Sequence, residues 1–248
     1  TGMTEGRSIW RKIGLGIVAA AGLFIFWLYA VWPPPLWYRV NFPQETAFQT
    51  MRRYQDPVAA MGRKYSPVRL SEISPLVPRA VLVAEDHRFY EHGGADYIEL
   101  RKALGYRRDS FDLMSAKDRR DFWRGIQRSD LGDVRGASTL TQQLAKNLYL
   151  SPSRNPLRKV KELVTAWRLE FWLGKDRILE LYLNTAELGD EIWGVEAASR
   201  AYFNKSAARL SRVEAATLAA TLPAPRSSNP RKAPGRMLWK RGWILGRM

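Results

Sequence analysis

The chain has 248 residues, 40 Lys and Arg against 24 Asp and Glu, a formal net charge of +16, no Cys, two His and ten Trp. The lack of Cys excludes a disulfide scaffold, a thiol nucleophile, an iron–sulfur cluster and a Cys-type zinc site, and no P-loop or G-x-G-x-x-G motif occurs. The length suits one domain with appendages or two small ones, and the positive charge suits nucleic acid, an anionic membrane surface or a phosphate-bearing substrate.

Thr1 and Gly2, ahead of the first Met, are set aside. Residues 13–32 carry no charge. A helix of that length spans ~30 Å, the hydrocarbon thickness of a bilayer. Trp27, Tyr29 and Trp32 lie toward its end, as interfacial aromatics do, and Pro33-Pro34-Pro35 stops it. Arg7, Arg11 and Lys12 precede the span, whereas Arg39 alone follows soon after. The positive-inside rule therefore puts residues 1–12 in the cytoplasm and the rest on the far side of a bacterial inner membrane. A cleaved signal peptide is the competing reading; its apolar core would be shorter, ~7–15 residues, with small residues after it. Outside the cytoplasm a nucleic-acid partner is not expected, and the charge points to anionic lipid or a pyrophosphate.

Residues 33–75 hold scattered Pro and no long apolar run, and predict a linker or membrane-proximal segment. Helical patterns dominate residues 76–225, taken as the main domain. Asn155-Pro156 predicts a helix start, and the helix runs to Leu173 with Gly174 as its stop. Asp176 is the expected cap of the next helix, which reads as amphipathic. Ser211-x-x-Glu214 predicts a capping box, with Pro223 ending the helix it opens. Strand-like alternation is almost absent, so the fold class is mainly α. Residues 226–248 are basic and rich in Trp and Leu, which fits either an interfacial segment or a final helix packed on the domain.

Four clusters carry chemistry. Glu85 and Asp86 follow the apolar run Val81–Ala84; a carboxyl entering an apolar wall suits a general base, although a solvated acidic helix end looks the same. Gly136 to Asn147 is dense in hydroxyls and amides, which hold sugar hydroxyls; Ser138 as a cap, or Thr139-x-x-Gln142 as a capping box, is the plain reading, and it leaves Gln143 and Lys146 unexplained. Arg158 and Glu162 share a helix face with Lys159 and Lys161 nearby, either a surface ion pair or a carboxylate among cations beside an anionic leaving group. Lys175 to Asn184 reads alone as an ordinary helix.

In order, E-D-x-x-F-x-x-H-x-G-x-D from Glu85, G-x-S-T-x-T-Q-Q from Gly136, R-K-x-x-E from Arg158 and R-I-L-E-x-Y-L-N from Arg177 resemble the peptidoglycan glycosyltransferases of glycosyltransferase family 51, and the later residues resemble its monofunctional branch. The resemblance implies a lysozyme-like domain with a smaller membrane-facing lobe, and polymerisation of lipid II into β-1,4 glycan with release of undecaprenyl pyrophosphate. It implies Glu85 as general base, Asp86 beside it, and Glu162 as a second essential carboxylate. Lys146 and Arg154 would contact pyrophosphate, Arg158, Lys159 and Lys161 would extend that basic surface, and Ser138, Thr139, Gln142 and Gln143 would line the sugar path. It implies no required cofactor or metal centre, leaves room for a divalent cation near Glu162, and names lipid II, the growing glycan strand, membrane lipids and the cell-division machinery as partners. The stretch between Asp96 and Gly136 is longer than the family's usual one. No Ser-x-x-Lys occurs, so a transpeptidase domain is not expected. A lytic muramidase on a similar scaffold, which also needs a protonatable Glu, and a non-catalytic cell-wall scaffold are the alternatives; neither explains all four motifs.

Overall fold

A computed structural model describes residues 2–99, 114–120, 124, 138–150 and 156–248. Most of the described residues are helical, as the patterning requires.

Helix α1 (Gly2–Tyr29) contains a stretch, Trp10–Tyr29, long and apolar enough to cross a membrane, and none of it is buried against protein. It ends at Tyr29 rather than Trp32. The approach to the proline run disfavours helix, and the orphaned end carbonyls find side-chain donors instead. Arg168 donates to the Tyr29 carbonyl at 2.7 Å and Lys161 to that of Ala30 at 3.0 Å. Both cations also sit over aromatic rings of α1, Lys161 on Trp27 and Arg168 on Tyr29.

Residues 33–75 are more than a linker. They hold a 3-10 turn (Pro35–Arg39), α2 (Ala47–Gln55), α3 (Pro57–Ala60) and β1 (Lys64–Tyr65). A capping box formed by Thr46 and Gln49 starts α2, and Asp56 caps α3. Strand β1 pairs in parallel with β3 (Ile192–Trp193), which pairs antiparallel with β2 (Glu187–Gly189). These strands are too short for an alternating pattern to reveal them.

Further helices among the described residues are α4 (Leu76–Glu85), α5 (Leu140–Tyr149), α6 (Pro156–Leu173), α7 (Lys175–Thr185), α8 (Val195–Phe203), α9 (Arg212–Thr221) and α10 (Gly235–Leu245). Helix α6 ends at Leu173 as expected; its predicted cap Asn155 lies outside the described residues. Gly174, not Asp176, occupies the cap position of α7, and Asp176 accepts a hydrogen bond from the Tyr90 hydroxyl instead. The Ser211–Glu214 capping box forms. Helix α10 packs on α9 and α4 through buried Met237 and Ile244, so the packed-helix reading of this segment holds, with Trp239 left exposed.

Helix α7 is not simply amphipathic. Every residue from Ile178 to Thr185 is buried, polar ones included. Buried polar groups need partners, and for Glu180 and Asn184 partners lie in the 33–75 segment. Asn184 accepts from the Val68 N–H and donates to its carbonyl, both at 2.9 Å, and Glu180 accepts from the Leu70 N–H. Arg177 donates to the carbonyls of Tyr38 (2.8 Å) and Asn41 (2.7 Å) and pairs with Glu180. The R-I-L-E-x-Y-L-N motif thus straps the segment after α1 onto the core.

One glycine is required by close approach. Gly194 has φ +81°, and a Cβ there would lie 2.4 Å from the Asn184 carbonyl oxygen. We expect Gly194→Ala to destabilise the fold by about 2–4 kcal/mol. A thermal unfolding midpoint equal to that of the unsubstituted protein would contradict this.

Candidate active site

Helix α4 ends between two carboxylates, and the change of backbone separates them. Glu85 is the last helical residue; Asp86 turns to an extended conformation with φ −162°. Asp86 is buried and holds structure together: its Oδ2 accepts from the Leu140 N–H, the first of α5, at 2.9 Å, and its Oδ1 lies 2.9 Å from His92 Nε2. A carboxylate at a helix N-terminus satisfies an orphaned donor and meets the positive end of the dipole. Asp86 thereby fixes where α5 begins.

Glu85 is held by two other elements. Its Oε2 accepts from Gln143 Nε2 at 3.2 Å, and its Oε1 from Lys240 Nζ at 2.9 Å. The expected apolar wall is therefore a polar, cationic one, because α10 brings a lysine across from a distant part of the chain. Gln143 is oriented in turn by the Tyr182 hydroxyl, which donates to its Oε1 at 2.9 Å. Complete burial, with Glu85 and Asp86 adding, raises the Tyr182 hydroxyl well above its ordinary value, so it stays a neutral donor.

Near Gln142, the α5 neighbour of Gln143, sits Glu162, 3% exposed. Arg158 Nη1 donates to its Oε2 at 2.6 Å, and Lys159 pairs with its Oε1. Lys159 also donates to Ser138 Oγ at 3.0 Å and reaches Gln142 Oε1 at 3.5 Å. Ser138, Gln142, Arg158, Lys159 and Glu162 are thus one constellation. Lys146 lies on α5, within the electrostatic reach of both Glu162 and Glu85. Burial lowers the Lys146 ammonium's pKa, and Arg158 and Lys159 push the same way while Glu162 opposes them. Among the described residues no carboxylate pairs directly with it. A half-buried lysine under those conditions is a ready receptor for an incoming anion.

Gln143, Lys146, Asn147 and Tyr182 form one wall of a cavity of about 340 Å³ whose other walls include Arg52 and Arg226.

Two expected site residues fall elsewhere, and a third is outside the described residues. Thr139 rather than Ser138 caps α5, and its hydroxyl donates to the Gly94 carbonyl at 2.7 Å; it is buried and faces no sugar path. Lys161 points to the end of α1 and not to the basic cluster, being one helical step round from Glu162. Arg154 lies outside the described residues, as does most of the long 97–135 stretch. Glu162 is a single carboxylate with a side-chain cation on each oxygen, and among the described residues no three His, Asp or Glu groups gather to hold a metal. Lys240 escaped sequence reasoning, since nothing local marks one lysine in a basic tail.

A family model described as Transglycosylase matches residues 54–113 and 117–248. The chain belongs to the transglycosylase family. Proteins named biosynthetic peptidoglycan transglycosylase are similar over most of their length. That of Bordetella pertussis is 42% identical over 229 residues, covering 90% of this chain and 87% of the relative. That of Thiobacillus denitrificans is 39% identical over 224 residues (89% and 87%), and that of Azoarcus sp. is 36% identical over 247 residues (94% and 97%). Within this transglycosylase chain, Glu85, Gln143, Lys146, Arg158, Lys159, Glu162 and Lys240 all lie inside the matched range.

Proposed function

We propose that this chain is a peptidoglycan glycosyltransferase that polymerises lipid II, with Glu85 as general base. The observation that carries the reading is the gathering of Glu85 and Glu162 about the α5 residues Gln143 and Gln142, with Lys146 within the electrostatic reach of both carboxylates. The acceptor's 4-hydroxyl gives its proton to Glu85 as its oxygen attacks the donor's anomeric carbon. The bond from that carbon to the pyrophosphate oxygen breaks on the opposite face, which inverts the α-linkage to β. The leaving group takes the electron pair as an anion and needs cations rather than an acid. Lys146, Arg158 and Lys159 supply them, and Glu162 keeps the Arg158 and Lys159 side chains in place. Purified protein in detergent with labelled lipid II should yield lysozyme-sensitive polymer. Cleavage of ready-made glycan without polymer would replace this reading with a muramidase.

The reading also places the chain as a single-pass protein of the bacterial inner membrane, with the catalytic domain on the periplasmic side. Support comes from α6. Leu157, Val160, Trp167 and Phe171 are exposed at helical spacing on one stripe, beside the two residues that grip the end of α1. Phe171 is 79% exposed. A stripe at the depth where the span ends suits the acyl–headgroup boundary. We expect Phe171→Asp to raise the apparent KM for lipid II in liposomes about tenfold, the equivalent of one buried aromatic side chain, and to leave the KM in detergent nearly unchanged. Equal KM values in both media would remove α6 from the membrane surface.

A further inference from the structure

Helix α10 presents its buried side through Met237 and Ile244. Lys240 lies three residues after the first and four before the second, so it shares that side. A lysine facing a core is costly unless paired. Its partner is Glu85 Oε1 at 2.9 Å, 155 residues away in the chain, and both side chains are largely withdrawn from water. The other oxygen of Glu85 is held by Gln143. The carboxylate is therefore fixed at two points, from α5 and from α10. Lys146 on α5 and the neutral hydroxyl of Tyr182 on α7 also face it, with Asp86 next in sequence, but the only ion pair Glu85 makes among the described residues is with Lys240.

We propose that Lys240 is a positioning residue for Glu85: by holding Oε1 it sets the carboxylate plane and leaves Oε2 as the face that receives the acceptor's proton, so that the base is assembled only when α10 is docked. This rests on the function proposed above. Lys240 touches no reacting atom and acts through Glu85.

The competing explanation is that the pair only fastens α10 to α4. The two predict different kinetics. Lys240→Met, Lys240→Arg, Glu85→Gln and the double variant Glu85→Gln/Lys240→Met are compared for polymerisation of labelled lipid II in detergent, with thermal unfolding of each. We expect Lys240→Met to lower kcat at least tenfold with KM within about threefold of the unsubstituted value, since a misplaced base slows the chemical step and leaves ground-state binding alone. Lys240→Arg should recover most of the rate. In the Glu85→Gln background the Met substitution should cost nothing further, because residues that act as a unit are not additive. A kcat within twofold of the unsubstituted protein, or an undiminished extra loss in the Glu85→Gln background, overturns the proposal. Lys240→Gln, which keeps a polar end, serves the same comparison if the Met variant does not fold. If the unsubstituted protein makes no polymer, the function reading fails by itself; the pair is then judged by the thermal-unfolding cycle, where additivity of the Glu85 and Lys240 substitutions overturns it.

Discussion

Glu85→Gln should lower kcat for lipid II polymerisation by about 10²–10⁴-fold, the usual contribution of a positioned general base. Gln keeps the shape, but its one carbonyl oxygen can accept from only one of Gln143 and Lys240 and its amide nitrogen meets the other donor, so the substitution removes the basic oxygen together with one hydrogen bond. The attacking hydroxyl then has no group to take its proton at the moment the new bond forms. Because the side chain is partly exposed and ends a helix, no cavity results, and the thermal midpoint should move by only a few degrees. The check is a time course with labelled lipid II over hours, beside a melting curve. A variant that polymerises at the unsubstituted rate while correctly folded would remove Glu85 as the base and leave the family assignment untouched.

Glu162→Gln should be as damaging by a different route. Here a buried carboxylate carries two cations, and those cations arrange Ser138 and Gln142. Without the negative charge Arg158 and Lys159 repel each other across the neutral amide. Breaking one side of a buried charged group costs about 3–5 kcal/mol when the remaining charge stays trapped. Lys159 is about one-third exposed and can swing into water, which reduces the stability loss but displaces the ammonium from the site. The expected pattern is a loss of at least about 10³-fold in kcat/KM, roughly 4 kcal/mol, with a melting point still high enough to show a folded protein. Glu162→Asp, which retains the charge but shortens the reach, should recover part of it. Normal activity in Glu162→Gln would show that the cation cluster holds itself together without the carboxylate.

Much of this was legible in the sequence because it is local. Helix stops and caps such as Gly174 and the Ser211–Glu214 box depend on neighbours a few residues apart. The motifs around Glu85, Ser138 and Glu162 name the chemistry, and the fold brings those residues together. What stayed hidden depends on distance along the chain. Lys240 meets Glu85 across 155 residues, and Asn184 meets Val68 across 116. No periodicity encodes such a contact, so the 33–75 segment looked like a linker and α7 like a half-exposed helix. Lys161 was misplaced for a geometric reason: its neighbour in the motif, Glu162, is rotated by about 100° on a helix with 3.6 residues per turn, and that step carries it from the site to the end of α1. Thr139 could have been separated from the sugar-facing residues by its position alone, since a residue that caps a helix with its own hydroxyl has little left to offer a ligand.

The strap formed by Arg177, Glu180 and Asn184, together with the grip of Lys161 and Arg168 on the last turn of α1, has a mechanical consequence. An enzyme on a slack tether samples many heights and tilts above the bilayer. Here the chain leaving α1 is stitched to the same helices that carry the site, so, under the membrane placement proposed above, the site keeps one elevation and one heading relative to α1. A substrate whose tail stays in the lipid presents its head at a set height, and a rigid mount matched to that height spares the encounter a search through orientations.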